Sequence, residues 1–202
     1  MAQYDLLVIG SGPAGQKAAV QAAKLGKKVG IVERRAVVGG VSTNTGTIPS
    51  KALREAVLYL SGFRQRNLYG AGYRLKETVT IEDLAFRANH IIKNEIEIVE
   101  DQMARNRIDL IYGEASFIDP HQILIQQAGT LVEHGAHVII IAVGTEPTRP
   151  NYIPFDGQTI IDTDGLVTLK HLPKSMVIVG GGVIGTEYAS ILSTIGVQVV
   201  LI

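Results

Sequence analysis

The strongest constraint on the fold is a glycine pattern that occurs twice, each time between an apolar run and a stretch of small residues. The first copy, LLVIGSGPAG, spans residues 6–15, and the second, VIVGGGVIG, spans residues 177–185. Each copy contains G-x-G-x-x-G and is followed by a second apolar run, at 28–32 and at 197–202. This order is typical of a β-α-β unit with parallel strands. Since the copies lie near opposite ends of the chain, too far apart for a solenoid, we predict two related nucleotide-binding domains.

The first glycine loop has the full context of a dinucleotide site. Gly10 allows a tight turn, Gly12 lets the backbone approach a pyrophosphate, and Gly15 permits close packing of helix on strand. The amides at the helix N-terminus then face the phosphates. Glu33 ends the next strand, at the distance from the loop where an acid accepts a hydrogen bond from a ribose hydroxyl. The alternative is a glycine turn without a ligand. This acid does not by itself separate FAD from NAD.

Between the two copies, the pattern of apolar residues predicts two helices and then short strands. Residues 49–62 and 78–107 have helical periodicity, and Thr80 is a plausible N-cap with Asp83 three residues on. From residue 108 to 143 the pattern changes to short β segments, with turns at Asp119-Pro120 and Ala128-Gly129. Residues 144–173, which include four prolines, are predicted to connect two domains.

Composition excludes several classes of function. The chain carries 19 basic and 19 acidic residues, so nothing indicates a nucleic acid or membrane partner. It has no cysteine, which excludes disulfides, thiolate metal sites and thiol nucleophiles. The five histidines show no metal-binding spacing, so we predict no metal. The N-terminus lacks the features of a signal peptide and no run approaches a membrane span, so we expect a cytoplasmic protein.

Residues 39–51, GGVSTNTGTIPSK, are the most specific segment of the chain. They resemble the redox-active segment of the flavin-dependent disulfide reductases, which follows GGTCxNxGCxPSK, with Ser42 and Thr47 in place of the two cysteines. Residues 142–147, AVGTEP, resemble that family's A-T-G-x-x-P segment, and Glu187 stands where the family has a glutamate. The chain is therefore similar to the flavoproteins with two dinucleotide-binding domains, the pyridine nucleotide-disulfide oxidoreductases.

The resemblance implies an α/β fold in which a Rossmann-like FAD-binding domain with a small antiparallel β segment precedes the start of a second Rossmann-like, NAD(P)-binding domain. The domain boundaries that follow are 1–145 for the first domain, without its returning segment, 146–172 for a linker, and 173–202 for the truncated second domain. The chain stops inside an apparent strand, so we interpret it as part of a longer protein. On its own, it is expected to bind FAD weakly and to turn over poorly.

The resemblance also implies the cofactor and the site. FAD is the expected cofactor, with NAD(H) and NADP(H) as substrates. Lys51 is expected near flavin N5 as a catalytic residue, in a buried ion pair with Glu187, which is distant in sequence. The alternative is that both are solvated charges on amphipathic helices. The remaining cofactor-binding residues are expected to be Gly10, Gly12, Pro13, Ala14, Gly15, Glu33, Arg34, Arg35, Gly39, Gly40, Val41, Ser42, Gly46, Thr47, Glu114, Ala115, Ala142, Val143, Gly144, Thr145, Gly180, Gly182, Val183, Ile184 and Gly185.

The absence of both cysteines decides which activity of the family we expect. A hydroxyl cannot form a disulfide, and no histidine lies nearby in sequence to activate Ser42 or Thr47 as a nucleophile. The resemblance then favours the transhydrogenase branch of the family, with hydride passing from NADPH to NAD⁺ through FAD. Two alternatives stay open: a cysteine-less dihydrolipoamide-dehydrogenase-like diaphorase or NAD(P)H oxidase, and a non-catalytic FAD-binding module. The family also implies a homodimer or higher homo-oligomer.

Overall fold

The computed structural model describes residues 2–202 and contains both strands and helices. The strands are β1 (Ala2–Ile9), β2 (Val29–Glu33), β3 (Asp109–Tyr112), β4 (Glu114–Asp119), β5 (Gln122–Gln127), β6 (Thr130–Ile141), β7 (Ser175–Ile178) and β8 (Gln198–Leu201). The helices are α1 (Pro13–Lys24), α2 (Gly40–Asn44), α3 (Thr47–Leu60), α4 (Arg66–Tyr69), α5 (Ile81–Arg105), α6 (Thr163–Val167) and α7 (Val183–Thr194), with a 3-10 turn at Phe63–Gln65.

The described chain divides into two compact units, each made of two segments. The first unit contains the described residues up to Asn44 together with Lys93–Glu146. The second contains Thr45–Ile92 and Pro147–Ile202. Helix α5 supplies residues to both units. The boundaries expected from the sequence, at 145 and 172, stay a prediction.

The first unit is built on a six-stranded mixed sheet with the order β3-β2-β1-β6-β5-β4. The four strands from β3 to β6 in this order pair in parallel, while β5 pairs antiparallel with both β6 and β4. Strand β6 is long enough for both kinds of pairing: its first half forms the hairpin with β5 and its second half lies along β1. This confirms the expected Rossmann-like fold with a small antiparallel segment.

Both faces of the sheet are covered, which is why its central strands are almost continuously apolar. All five residues of β2 are buried. Ile31 belongs to the core cluster on one face, with α1 and the C-terminal part of α5, and Val32 belongs to the cluster on the other face, with β5. Alternate residues of a strand point to opposite faces, so this short apolar run serves two cores.

The turns lie where the sequence predicted them. Ala128 and Gly129 connect β5 to β6 and both have positive φ, +42° and +88°. Two central residues with positive φ are typical of the two-residue hairpin turn whose twist matches that of the strands. Helix α5 begins with the expected reciprocal cap. The Thr80 amide donates to Asp83 Oδ2 at 2.9 Å, and the Asp83 amide donates to Thr80 Oγ1 at 3.4 Å.

The second unit repeats the β-α-β arrangement near the C-terminal end of the chain. Strands β7 and β8 are parallel and α7 connects them. Gly10 and Gly180 have φ of +108° and +109°, and Gly12 and Gly182 are the N-caps of α1 and α7 with nearly the same backbone angles. The internal repeat is therefore structural as well as sequential. The same unit contains α3, whose Leu53 and Val57 pack in one core cluster with Ile191 of α7.

Candidate functional site

A cavity of about 560 Å³ lies within the first unit, at the carboxyl ends of β1, β2 and β6. Ligands of open α/β sheets bind in such a crevice, beyond the strand ends. Most of the cofactor-binding residues expected in this unit line the cavity. The lining residues are Ile9, Gly10, Ser11, Gly12, Pro13, Ala14, Val32, Glu33, Arg34, Arg35, Gly40, Val41, Ser42, Gly113, Glu114, Ala115, Ala142, Val143, Gly144, Thr145 and Glu146.

The requirement for glycine has a different steric reason at each of the three positions of the first loop. At Gly10, a Cβ would lie 2.3 Å from the Ala142 carbonyl oxygen of the chain that follows β6. At Gly15, a Cβ would lie 2.0 Å from the Gly10 oxygen, so this position is closed to any side chain and does not line the cavity. Gly12 differs, because its nearest neighbour would be Gly40 Cα at 3.9 Å. Gly12 therefore keeps open a space that the protein itself does not fill.

The wall around this space suits a diphosphate. Pro13 and Ala14 of the first turn of α1 line the cavity, and Gly12, the N-cap, has no side-chain hydrogen bond to the helix. The first amides of a helix lack partners within it and carry partial positive charge, which favours an anion. A glycine cradle beside a helix N-terminus fits the pyrophosphate of FAD. Pocket volumes of roughly 300–1,000 Å³ are usual for small-molecule ligands.

Glu33 is buried beside the glycine loop, where the sequence placed the ribose acceptor. Its Oε2 accepts hydrogen bonds from the Ser11 amide at 3.1 Å and the Ser11 hydroxyl at 2.5 Å. Its Oε1 accepts from the Arg35 amide at 2.9 Å. These bonds offset the cost of burying a carboxylate that has no cation within 4.0 Å among the described residues.

Charged side chains stand at the edge of the cavity. Arg34 Nη2 lies 3.5 Å from Glu146 Oε2, and both side chains are largely exposed. An exposed pair of this kind contributes little to stability, about 0–1 kcal/mol. This ion pair links Arg34, the residue after β2, to Glu146, which lies in the segment after β6.

Helix α2 brings the start of the GGVSTNTGTIPSK segment to the same cavity. Gly40, Val41 and Ser42 line it. The Asn44 amide group donates to the Val38 and Gly40 carbonyls, each at 2.9 Å, and this ties the short helix to the loop before it. Gly39 does not line the cavity.

The remaining expected residues belong to the second unit. Gly46 is the N-cap of α3, Thr47 begins that helix, and Lys51 lies on its exposed side. The second loop, represented by Gly180, Gly182 and the neighbouring Val183 and Ile184, is exposed, and Gly185 repeats the tight contact of Gly15, at 2.0 Å from the Gly180 oxygen.

The buried ion pair expected between Lys51 and Glu187 is not formed in this structure. Among residues 2–202, no Lys51 nitrogen lies within 4.0 Å of a carboxylate, and the Lys51 side chain is exposed. Glu187 instead accepts a hydrogen bond from the buried Ser50 hydroxyl at 3.2 Å. Successive helical residues are rotated by about 100°, so Ser50 faces α7 and Lys51 does not.

Five cavity residues were missing from the sequence-based set: Ile9, Ser11, Val32, Gly113 and Glu146. Ile9 is the last residue of β1 and Val32 the penultimate residue of β2, and each directly precedes a residue that was predicted to bind the cofactor. Gly113 and Glu146 belong to segments already singled out. Ser11 had one available signal, because a hydroxyl between the two glycines stands opposite the acid that ends β2.

The described residues contain no group of three or more His, Asp or Glu placed to hold a metal ion. None of their helices combines the length and apolarity needed to cross a membrane.

Comparisons with known proteins find relatives along the whole chain. Residues 4–202 match the family described as Pyridine nucleotide-disulphide oxidoreductase. The soluble pyridine nucleotide transhydrogenase of Mycobacterium bovis (strain BCG / Pasteur 1173P2) is 53% identical over 204 residues, which cover 100% of this chain and 44% of that protein. The protein of the same name from Colwellia psychrerythraea (strain 34H / ATCC BAA-681) is 42% identical over 200 residues, covering 98% and 43%.

Among solved structures, the chain is similar to the Cu(II) complex of the HOCl-induced flavoprotein disulfide reductase RclA from Escherichia coli. The TM-score is 0.81 at 30% identity, over 100% of this chain and 42% of that one. The chain therefore spans less than half the length of the relatives described here.

The sequence pattern, the repeated β-α-β unit and the glycine-lined cavity all lead to one assignment. The resemblance found from the residues alone is confirmed by the match along the chain. The chain belongs to the pyridine nucleotide-disulphide oxidoreductase family, whose cofactor is FAD.

Proposed function

We propose that the protein containing this chain transfers hydride between NADPH and NAD⁺ through bound FAD, without a redox disulfide, as a Si-specific transhydrogenase of the cytoplasm. The observation that carries this proposal is the 53% identity, over the whole chain, to a protein named soluble pyridine nucleotide transhydrogenase. The name of that relative also supports the proposed location.

Ser42 and Thr47 support the absence of a disulfide step. They occupy the two positions where the resemblance to disulfide reductases leads one to expect thiols, and the chain has no cysteine elsewhere. Ser42 lines the cavity of the first unit, where its hydroxyl offers one donor and two acceptor positions. A hydroxyl can hydrogen-bond to a ligand but cannot exchange with a disulfide.

The first unit would hold the adenosine diphosphate part of FAD. The loop from Gly10 to Ala14 and the start of α2 would surround the diphosphate, and Glu33 would accept a hydrogen bond from the ribose. Bound FAD would supply the hydride acceptor and donor that no side chain of this chain provides. The loop of Gly180, Gly182 and Gly185 would hold the nicotinamide dinucleotide.

Lys51 is the cation that we propose for the reaction. Its ammonium is exposed on α3, and the Glu187 carboxylate accepts a hydrogen bond from Ser50 and forms no ion pair with Lys51. An available cation stabilises negative charge that develops on a bound ligand. Glu187 would act indirectly, by fixing the positions of α3 and α7.

We include a homo-oligomeric assembly in the proposal, which light scattering on the purified protein would measure.

Anaerobic spectroscopy on the full-length protein tests the proposal. NADPH should bleach the flavin absorbance, and NAD⁺ added afterwards should restore it, with no change when thiol-blocking reagents are present. Reoxidation by oxygen or a quinone but not by NAD⁺ would favour a diaphorase or oxidase. Flavin that no pyridine nucleotide reduces would favour a non-catalytic module, and a colourless protein that does not take up FAD would end the proposal.

A further inference from the structure

The residue between the first two glycines of the first loop, Ser11, is the centre of a buried hydrogen-bond network. Its hydroxyl donates to Glu33 Oε2 at 2.5 Å and accepts from the Gly39 amide at 3.2 Å. Its own amide donates to the same Glu33 oxygen at 3.1 Å. Its carbonyl accepts from the Gln16 side-chain amide at 2.7 Å. Ser11 is 1% exposed, so its polar atoms are satisfied by these protein partners.

Ser11 therefore connects three segments of the cavity wall. The glycine loop contains it, the end of β2 contributes Glu33, and the turn before α2 contributes Gly39. Each bond joins a buried polar group to another, and losing one partner would leave the other unsatisfied.

As a result, the two oxygens of the Glu33 carboxylate accept different numbers of hydrogen bonds from the protein. A carboxylate offers about four acceptor positions, two on each oxygen. The two Ser11 donors occupy Oε2, while the Arg35 amide, at 2.9 Å, is the single protein donor to Oε1 among the described residues. One oxygen therefore anchors the side chain, and the other, on a carboxylate that lines the cavity, keeps an unused acceptor position.

The second glycine loop provides an internal comparison. When Gly180 is aligned with Gly10, Gly181 stands where Ser11 stands, so the second loop has no side chain to hold an acid. The backbone of the two loops is otherwise closely alike at the flanking glycines. The shared β-α-β geometry therefore does not require a hydroxyl, and the serine has a task particular to the first loop.

We propose that Ser11 is a positioning residue for the cofactor: it fixes Glu33 so that Oε1 accepts one hydrogen bond from the ribose of the adenosine diphosphate moiety. The inference rests on the proposed FAD site. Ser11 would contribute to the affinity for FAD only indirectly, by holding Glu33 in place. Ser11 itself need not touch the ligand.

A double-mutant cycle on the full-length protein tests this, with the FAD dissociation constant measured by quenching of flavin fluorescence. Ser11→Ala should weaken FAD binding about tenfold, the effect of one charge-assisted hydrogen bond. In the Glu33→Ala background the same substitution should change the dissociation constant by less than about twofold. Ser116→Ala, on exposed β4 of the same unit, is the matched control and should change nothing.

Each other result overturns the inference. Equal weakening by Ser11→Ala with and without Glu33 would mean a general structural role, and no weakening would mean that Glu33 needs no anchor. If Ser11→Ala does not fold, Ser11→Gly replaces it, because the second loop carries glycine there. Wild-type protein that does not bind FAD would overturn the proposed function as well, whereas failure of the cycle alone leaves that function intact.

Discussion

The Ser50 hydroxyl donates a hydrogen bond to the Glu187 carboxylate at 3.2 Å, and so joins α3 to α7 within the second unit. Ser50 is 5% exposed, while the adjacent Lys51 is exposed. The side chain that holds the glutamate is thus a neutral donor. This leaves the lysine cation available to a ligand and makes the serine a structural residue.

Ser50→Ala should lower the free energy of unfolding by about 1–2 kcal/mol, because it leaves a half-buried carboxylate without this donor. Ser190→Ala, at an exposed position of α7, should change it by less than about 0.5 kcal/mol. Urea denaturation of the two variants measures the difference. Equal stability would show that water replaces the serine.

Lys51→Met should reduce transhydrogenation about a hundredfold, the cost of removing one group that stabilises developing charge. Stability should stay within about 0.5 kcal/mol, because the side chain is exposed. Lys170→Met, another exposed lysine of the same unit, should leave both quantities unchanged. Steady-state rates with NADPH and an NAD⁺ analogue, together with thermal melts, provide the test. Full activity of Lys51→Met would remove Lys51 from the mechanism.

Alanine at Gly12 and at Gly15 should separate binding from folding. Gly12 has φ of −68° and its new Cβ would meet nothing closer than 3.9 Å, so the fold should persist while FAD binding weakens about tenfold or more. At Gly15 the Cβ would lie 2.0 Å from the Gly10 oxygen, so that variant should be strongly destabilised. Circular dichroism and flavin titration measure the two effects. Tight FAD binding by Gly12→Ala would place the diphosphate elsewhere.

Removing the hydroxyl group should change the stability of the protein in opposite directions at Tyr188 and at Tyr4. The buried Tyr188 hydroxyl has no hydrogen-bond partner among the described residues, and burial raises its pKa to about 12. Tyr188→Phe should therefore stabilise the protein by about 1 kcal/mol. The Tyr4 hydroxyl donates to Asp109 Oδ2 at 3.0 Å, so Tyr4→Phe should cost about 1 kcal/mol. Melting temperatures compare them, and destabilisation by Tyr188→Phe would reveal a partner for that hydroxyl.

His134 should make stability depend on pH below neutrality. Burial lowers its pKa from the ordinary value of 6.5, and its Nδ1 has no partner within the part of the chain that the structure describes. As pH falls below about 6.5, the unfolded chain takes up a proton before the folded protein does, so stability decreases until the folded pKa is passed. His134→Gln should flatten this part of the unfolding profile, because a glutamine side chain takes up no proton. Identical profiles for wild type and His134→Gln would contradict the prediction.

Much of the fold followed from local pattern. The glycine loops, the helices that follow them and the reciprocal Thr80–Asp83 cap depend on residues close in sequence, and short-range sterics and hydrogen bonds decide such features. The absence of cysteine likewise settled, from composition alone, that no disulfide forms within these residues.

Only the tertiary structure decided which distant side chains meet. Ser11 joins Glu33 and Gly39, and Ser50 rather than Lys51 reaches Glu187, because helix rotation and packing select one of two adjacent residues. The sequence shows that both residues are polar but not which one is turned toward a neighbouring element. That choice depends on how whole elements bury their apolar faces, and a motif read along the chain does not contain it.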